Sequence, residues 1–228
     1  MYIRGFVDLS SSRVFHGKPI IGIAGGIGGG KSFVARLFGE LGCHVIDSDA
    51  QVRAAYNDPQ VQDAIRGWWG DGVFRADNTI NRSAIAARIF QSPAERDRLE
   101  RLLHPWVNTA REQEMLTAAG STQVVAFVWD TPLLFETGLN RQCDAVVFVD
   151  TAEALRLHRL RDTRGWDEAE LRRRENSQWP LDKKREISDY VLVNTADVDT
   201  GPTGIRSQVR EILSRILANG QQPSTDGH

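Results

Sequence analysis

The chain has 228 residues, of which 28 are lysine or arginine and 30 are aspartate or glutamate, so its formal net charge is −2. Its 41% hydrophobic and 25% charged residues are typical of a globular protein, and the charge argues against a basic nucleic-acid surface or a polybasic membrane anchor. No apolar run approaches the about 20 residues that cross a bilayer, and Cys43 and Cys143 lack the spacing of a zinc site. We therefore expect a cytoplasmic protein with no nucleic-acid, membrane or obligatory protein partner, built from one large domain or one domain with an insert.

Five short apolar runs, rich in β-branched and aromatic residues, predict strands of a parallel sheet that is covered on both faces. In chain order these runs are Ile20–Ala24, His44–Asp47, Val124–Asp130, Ala145–Asp150 and Tyr190–Asn194. Apolar residues with helical spacing occupy Lys31–Leu41, Ala152–Arg164 and Gly204–Ala218. Strands that alternate with helices predict an α/β fold with right-handed crossovers.

The connection between the second and third predicted strands is about 75 residues long, far more than a crossover helix needs. Within it, Ser92-Pro93-Ala94-Glu95 matches a capping box and predicts a helix through Leu103, followed after His104-Pro105 by a second helical segment, Val107–Ala119. We interpret residues 51–120 as a helical insert that forms the pocket of a second substrate, or else only adds packing. The predicted domains are then an N-terminal extension at 1–18, a nucleotide-binding core at 19–50 and 121–218, this insert, and a flexible tail at 219–228.

A glycine-rich segment follows the first predicted strand and opens the first predicted helix. It reads Gly25-Gly26-Ile27-Gly28-Gly29-Gly30-Lys31-Ser32 and satisfies the P-loop pattern GxxxxGK[ST]. The glycines let successive backbone N–H groups converge on phosphate oxygens, and the helix N-terminus adds its positive dipole end. We expect Lys31 to reach the β- and γ-phosphates of ATP and the Ser32 hydroxyl to ligate Mg²⁺.

Aspartates end the second and third predicted strands, where an α/β sheet faces its ligand. Asp49, two residues past the second strand, is a candidate to accept the proton of an attacking hydroxyl. Asp47 and Asp130 are candidate ligands of Mg²⁺ or of its water shell, and Asp130 has the Walker B position. The alternative for the segment Asp47-Ser48-Asp49 is that Ser48 and Asp49 cap the next helix.

Three further segments are ambiguous. Pro132 is expected to turn the chain after Asp130, and the apolar residues Leu133–Phe135 then either pack or line a pocket. His104 is either a substrate contact or a structural residue at a helix junction. Asn194-Thr195-Ala196-Asp197 is similar to the guanine-reading NKxD of GTPases, but threonine occupies the lysine position, which disfavours a GTPase switch.

Seven arginines lie between the fourth and fifth predicted strands: Arg156, Arg159, Arg161, Arg164, Arg172, Arg173 and Arg174. Gly165-Trp166-Asp167 predicts a break between two helices, with Asp167 as the N-cap of the second. Such a helix pair suits a lid, at about 156–180, that closes over phosphates and excludes water. Most of these arginines are expected on a solvated face beside glutamates, and Arg159 and Arg164 are the two that we retain as functional candidates.

These motifs, in this order over about Ile20–Leu217, resemble those of dephospho-CoA kinases. The family's GGIGSGKST, DAD, Leu-His-Pro and DxPLLFE motifs correspond to Gly25–Phe33, Asp47–Asp49, Leu103–Pro105 and Asp130–Glu136. Its later Arg, Gln, Lys and ADYVIxN pattern falls on Arg174, Gln178, Lys184 and Ser188–Asn194. The resemblance implies ATP-dependent phosphorylation of the ribose 3′-hydroxyl of dephospho-CoA, the last step of CoA synthesis. It also implies a P-loop core with a five-stranded parallel sheet, a helical CoA-side insert and a helical lid.

The resemblance further implies a role for each matching position. Asp49 is similar to the family's catalytic carboxylate, Lys31 to its phosphate clamp and Arg159 to its lid arginine. ATP binding is expected of Gly25–Phe33, Arg164 and Asn194. Binding of the acceptor is expected of Asp49, His104, Asp130, Pro132 and Leu133, and binding of Mg²⁺ of Ser32, Asp47 and Asp130.

The chain departs from the family pattern in the P-loop. Gly29 replaces the usual serine, and Phe33 replaces the usual threonine after Ser32. Gly29 keeps the backbone donors, so we expect nucleotide binding to survive. Phe33 removes a hydroxyl and adds a ring, so nucleotide affinity or base preference is expected to differ. Ser188, in place of the usual alanine, is expected to have no effect.

Two alternatives stay open at this point. Another P-loop small-molecule kinase, of the shikimate or nucleoside-phosphate type, is disfavoured by the long insert and by the DTPLLFE segment. An ATP-binding switch or assembly protein with little turnover is disfavoured by the presence of Lys31, Ser32, Asp49 and Asp130.

Overall fold

The chain forms two compact units in the computed structural model, which describes residues 14–195, 201 and 203–219. The first unit holds the residues up to Ile46 together with those from Ala118 onward, and the second is Asp47–Thr117. Most of the extension predicted at 1–18, the tail after Asn219, and the Ala196-Asp197 end of the NKxD-like segment lie outside the described residues.

The described residues form five strands and nine α-helices. The strands are β1 (Ile20–Gly25), β2 (Cys43–Asp47), β3 (Ala126–Asp130), β4 (Ala145–Asp150) and β5 (Tyr190–Val193). The helices are α1 (Lys31–Glu40), α2 (Ser48–Ala55), α3 (Pro59–Trp69), α4 (Arg82–Gln91), α5 (Pro93–Ala119), α6 (Glu153–Arg164), α7 (Glu168–Glu175), α8 (Leu181–Glu186) and α9 (Ile205–Asn219). All five predicted strands and the three predicted helices of the core are confirmed, with small differences at their ends. Of the helices that the structure describes, none is both long enough and apolar enough to cross a membrane.

The five strands make one parallel sheet in the order β2-β3-β1-β4-β5. All six residues of β1 are buried, because this strand lies in the centre of the sheet. Its residue Ile23 pairs with Asp130 of β3 on one side and with Val147 of β4 on the other. The register therefore brings the carboxyl end of β3 beside the end of β1, where the P-loop begins.

Apolar stripes on α1 and α9 cover the sheet. Val34, Leu37 and Phe38 of α1 are buried in the same core cluster as Val209 and Ile212 of α9. Their spacing of three or four residues places each set on one helix face, as predicted from the sequence. Burial of this stripe fixes α1, and with it the end of the P-loop.

The second unit has its own apolar core, formed between helices α2 to α5. Its longest helix, α5, runs without interruption through Pro105, although the sequence predicted two helical segments separated at His104-Pro105. Proline removes one backbone hydrogen bond and normally ends or kinks a helix. Leu99, Leu103 and Val107 form a buried stripe on both sides of the proline, and their packing outweighs that loss.

The predicted capping box at the start of α5 is only half formed. The Ser92 hydroxyl accepts a hydrogen bond from the backbone N–H of Glu95 at 3.3 Å. The Glu95 carboxylate instead accepts from the indole nitrogen of Trp69 at 2.7 Å. A buried indole N–H needs a partner, so Glu95 joins α5 to α3 within this unit rather than closing the box.

Candidate active site

The P-loop, Gly25–Ser32, has a backbone that suits an anion. Gly25, Gly28 and Gly30 have φ angles of 145°, 75° and 86°, which residues with a Cβ rarely adopt. Gly30 is the N-cap of α1, and no side chain of the described residues caps that helix. The first N–H groups of α1 therefore lack both an intrahelical acceptor and a cap, which leaves them available to phosphate oxygens.

Side chains from distant parts of the first unit hold the carbonyl groups of the P-loop. The Gly29 carbonyl accepts hydrogen bonds from the Thr151 hydroxyl at 2.9 Å and the Asn194 amide at 2.8 Å. The Ile27 carbonyl accepts one from the Arg156 guanidinium at 3.2 Å. These bonds fix the orientation of the peptide groups before any ligand arrives, which lowers the cost of ordering the loop on binding.

Lys31 folds back along the loop, where its Nζ donates to the carbonyls of Gly25 at 3.1 Å and Gly26 at 3.0 Å. These two uncharged carbonyl oxygens hold the ammonium group against the P-loop. We expect them to be exchanged for the more strongly charged phosphate oxygens when a nucleotide binds.

The charge of Lys31 is held in an unfavourable environment. The pKa of its ammonium group is lowered to about 8, chiefly by burial and also by the nearby cations Lys184 and Arg156, whereas Asp130 and Glu136 act in the opposite direction. Desolvation penalises the charged form of a lysine, and a bound polyanion removes that penalty. A strongly perturbed lysine beside an anion-binding loop is typical of a functional site.

Two oxygen donors in the first unit suit Mg²⁺. Ser32 is exposed on the first turn of α1, and Asp130 is half-buried at the end of β3, where its charge acts on Lys31. The described residues contain no group of three or more His, Cys, Asp or Glu side chains that would hold a metal by themselves. A hydroxyl and a carboxylate fit a cation that takes its remaining ligands from phosphates and water.

The Asp47-Ser48-Asp49 segment begins α2 in the second unit. The sequence offered Ser48 and Asp49 as caps, but the N-cap is Asp47, whose Oδ1 accepts from the Ala50 N–H at 2.8 Å. Its other oxygen pairs with Arg53 at 3.2 Å, so both carboxylate oxygens of Asp47 have protein partners. Asp49 lies in the first turn of α2, exposed, and the described residues offer it no hydrogen bond or ion pair.

The predicted helix break in the arginine-rich segment is confirmed. Gly165, with φ 66°, ends α6, and Asp167 caps α7 by accepting from the Glu170 N–H at 2.8 Å. Arg159 points at the P-loop: it donates to Asn194 at 3.4 Å, and a Cβ at Gly30 would lie 3.4 Å from its Nη1.

The remaining arginines divide into an exposed group and one buried member. Arg164 is exposed, with its guanidinium 5.0 Å from the ring centre of Trp166. Arg172, Arg173 and Arg174 are exposed and paired with glutamates of their own helix, as the sequence predicted. Arg156 differs, since it is 3% exposed and contacts the P-loop, so its expected place on a solvated face was wrong.

The segment after Asp130 is buried in one half and exposed in the other. Leu134 and Phe135 are buried, whereas Pro132 and Leu133 are exposed and remain candidates for contact with an acceptor. His104 is exposed on α5 in the second unit. The sequence left open whether Leu133–Phe135 would pack or line a pocket, and the structure assigns the two halves of the segment differently.

Gly29 and Phe33, the two P-loop residues that depart from the family pattern, differ in their surroundings. A Cβ at Gly29 would lie 2.9 Å from the Gly26 carbonyl oxygen, so a serine there requires the loop to shift. The Gly29 N–H already donates to that carbonyl at 3.1 Å. The Phe33 ring is 37% exposed, with the Arg36 guanidinium 5.9 Å from its centre. The loop conformation is therefore shaped for glycine at position 29, and Phe33 adds apolar surface beside it.

A buried ion pair near Lys31 was missed by reasoning from the sequence. Lys184 of α8 is 2% exposed and pairs with Glu136 at 2.7 Å, and it also donates to Gln178 at 3.1 Å. Glu136 accepts from the Trp179 backbone N–H at 2.9 Å as well. Lys184, Gln178 and Glu136 stand at motif positions, but nothing in LDKKRE distinguishes Lys184 from its exposed neighbour Lys183.

Removing Lys184 is expected to destabilise the protein strongly. Lys184→Ala leaves the Glu136 carboxylate without its cation, and we expect the free energy of unfolding to fall by about 3–5 kcal/mol in urea titrations. The double change Lys184→Met with Glu136→Gln removes both charges and is expected to lose less. Arg215→Ala, which breaks an exposed pair with Glu211, serves as the control and should cost under about 1 kcal/mol. A similar small loss for Lys184→Ala would contradict the prediction.

Comparison with known proteins agrees with this geometry. A family model described as dephospho-CoA kinase matches residues 19–200. The chain belongs to the dephospho-CoA kinase family. Relatives named dephospho-CoA kinase from Syntrophotalea carbinolica and Corynebacterium efficiens are each 36% identical to it, covering 91% and 86% of this chain and 98% of each relative. Membership confirms the resemblance seen in the motifs, and it makes the protein a kinase that transfers phosphate to a hydroxyl.

Solved structures support the same fold. The chain is similar to TT1252 from Thermus thermophilus, with a TM-score of 0.73, 27% identity, and coverage of 89% of this chain and 97% of that one. A dephospho-CoA kinase from Campylobacter jejuni matches with a TM-score of 0.62 over 90% of this chain and all of the other. At 19% identity the second likeness concerns the fold alone.

Proposed function

We propose that this dephospho-CoA kinase family member transfers the γ-phosphoryl group of ATP to the ribose 3′-hydroxyl of dephospho-CoA, with the P-loop holding ATP and Asp49 receiving the hydroxyl proton. A P–O bond forms to the 3′-oxygen while the bond between the γ-phosphorus and the β,γ-bridging oxygen breaks, and ADP leaves. The observation that carries the proposal is a P-loop whose carbonyls are held and whose helix N-terminus is uncapped, in a chain of this family.

The phosphates are assigned to the P-loop, Lys31 and Arg159. Backbone N–H groups at the start of α1 bind the phosphate oxygens, and Lys31 adds a charge whose unfavourable burial is relieved by the ligand. Arg159, beside Gly30, adds a second cation from the lid helix α6. Arg164 and Asn194 are assigned to ATP as well, Asn194 through the hydrogen bond that its amide donates to the Gly29 carbonyl of the loop.

Mg²⁺ fits the oxygen donors of Ser32 and Asp130, which we propose as its ligands. When bound with ATP, a divalent cation supplies charge that offsets the negative charge on the β- and γ-phosphates. Asp47 stays a prediction as a third ligand, because both of its oxygens are engaged by the start of α2 and by Arg53. Its direct binding to a metal requires release of Arg53.

Asp49 is assigned as the catalytic carboxylate. It is exposed in the first turn of α2, and neither helix capping nor an ion pair among the described residues engages its carboxylate. Such a carboxylate accepts or orients the hydroxyl proton in the transition state. We assign acceptor binding to the second unit, with His104 as a candidate contact, and to Pro132 and Leu133. We further propose a cytoplasmic enzyme that needs no protein partner.

ATP binding should take up a proton from solvent above pH 8. Lys31 has a pKa of about 8 in the free protein, and bound phosphates raise it, so binding at about pH 8.5 should take up roughly 0.5–0.8 proton. Calorimetric titrations in two buffers of different ionisation enthalpy measure this uptake. Lys31→Arg is the control, because a guanidinium does not titrate in this range. The same uptake in both proteins would contradict the assignment to Lys31.

The acceptor is tested by ADP release with a panel of hydroxyl compounds. We expect turnover with dephospho-CoA and none with shikimate, nucleosides or nucleoside monophosphates. Efficient turnover of one of the other acceptors would overturn the proposed substrate. Slow ATP hydrolysis that no acceptor accelerates would instead favour an ATP-binding switch.

A further inference from the structure

Arg156 occupies an unusual position for an arginine in a charged helix. It lies on α6, it is 3% exposed, and its guanidinium donates to the Ile27 carbonyl of the P-loop at 3.2 Å. A Cβ at Gly26 would lie 2.8 Å from the same Nη1 atom, so the guanidinium packs directly against the loop backbone. Arg156 thus binds the P-loop at Ile27, whereas Thr151 and Asn194 both bind the Gly29 carbonyl.

The same guanidinium is bound to a second helix. Glu175, the last residue of α7, is partly exposed and forms an ion pair with the buried Arg156 Nη1, while Arg156 Nε is buried without a hydrogen bond among the described residues. Burying a charge is costly unless it is paired, so Arg156 depends on Glu175 for its position. One side chain thus connects α6, α7 and the P-loop through atoms that are far apart in the sequence.

We propose that Arg156 and Glu175 are positioning residues that couple α7 to the P-loop, so that the position of α7 sets the affinity of the loop for ATP. The inference rests on the ATP site proposed above. A bond to the Ile27 carbonyl orients the neighbouring peptide groups, and movement of Glu175 with α7 withdraws the charge that keeps Arg156 on that carbonyl. Communication in the reverse direction follows from linkage, since ATP must then favour the position of α7 that keeps the pair intact.

A purely structural ion pair would support the fold without affecting the ligand. The location of Arg156 argues for more, because its guanidinium donates to the Ile27 carbonyl and packs against the backbone of the P-loop at Gly26. A change in its position therefore changes the support of the loop that holds the phosphates.

The first test is ATP affinity, measured by calorimetry with Mg²⁺ and no acceptor. Glu175→Gln is expected to weaken ATP binding by about tenfold, and Arg156→Met by more, with smaller changes in kcat at saturating ATP. Glu168→Gln is the matched control, because Glu168 pairs with Arg172 on the exposed side of the same helix. A loss of thermal stability with unchanged ATP affinity in both test variants would overturn the proposal.

The second test separates coupling from simple loss of loop structure. Hydrogen exchange on addition of ATP should slow in both the P-loop and α7 of the unaltered protein. In Glu175→Gln, saturated with ATP, the P-loop should still respond while α7 no longer does. An equal response of α7 in the two proteins would contradict coupling. Failure of the unaltered protein to bind ATP would instead contradict the proposed function.

Discussion

Replacing Lys31 with methionine is expected to lower kcat by about 10³-fold and, in the same protein, to raise the melting temperature without nucleotide. Turnover falls because the charge of Lys31 is needed most when the γ-phosphoryl group is in transit. Stability rises because burial lowers the pKa of Lys31 to about 8, which means that the folded protein carries the charged form at a cost. Methionine fills similar space without a charge, so the free energy of unfolding should rise by about 1–3 kcal/mol at neutral pH.

The stability gain has a defined pH dependence. Lys31 titrates at 10.5 in an ordinary setting and at about 8 in the fold, so between these values the unfolded chain binds the additional proton. The stability of the unaltered protein therefore rises with pH over that window, and its deficit relative to Lys31→Met is full below pH 8 and disappears towards about pH 10.5.

Scanning calorimetry of both proteins at about pH 7 and about pH 9.5 measures the effect. Lys183→Met, which changes an exposed lysine on α8, is the control and should bring no gain. Equal melting temperatures of Lys31→Met and the unaltered protein at neutral pH would contradict the buried-charge argument. A kcat within tenfold of normal would contradict the role of Lys31 as the phosphate clamp.

Asp49→Asn is expected to lower kcat by about 10²–10⁴-fold while ATP affinity stays within about threefold of normal. Asparagine has nearly the same shape but does not accept the hydroxyl proton. The exposed position of Asp49 in the first turn of α2 means that the substitution breaks no hydrogen bond or ion pair with the described residues. A loss of rate therefore reports on chemistry rather than on folding.

Steady-state assays with ADP detection, together with calorimetric ATP binding, separate the two effects of the Asp49 change. Asp63→Asn is the matched control, since Asp63 is also an exposed helical aspartate of the second unit and belongs to no motif. Near-normal kcat in Asp49→Asn would remove Asp49 from the role of catalytic carboxylate. Asp47→Asn is informative beside it, because asparagine keeps the helix cap while removing the charge that pairs with Arg53.

Much of the fold was predictable because its signals are local. Continuous apolar runs marked the five strands, helical spacing marked α1, α6 and α9, and Gly165 with Asp167 marked the break before α7. Local patterns were weaker where two principles competed. Pro105 suggested an interruption that the buried stripe of α5 overrides, and Glu95 left its expected capping bond for the indole of Trp69.

The residues of the candidate site also differ in how well the sequence predicted them. The P-loop, Lys31 and Ser32 were found from spacing alone, because eight consecutive residues carry the phosphate-binding geometry. Arg156 and Lys184 were not, because each lies among similar charged residues and differs from them only in its environment. The Ile27 carbonyl that Arg156 contacts is 129 residues away in the chain.

The sequence by itself therefore determined the class of this protein, a P-loop kinase, and the family to which it belongs. These properties depend on short motifs and on their order along the chain. Only the tertiary structure decided which charges are buried, which residue caps the start of α2, and which cations lie near Lys31. Burial and pairing depend on residues that meet across the fold, and a local pattern carries no information about residues that are distant in sequence.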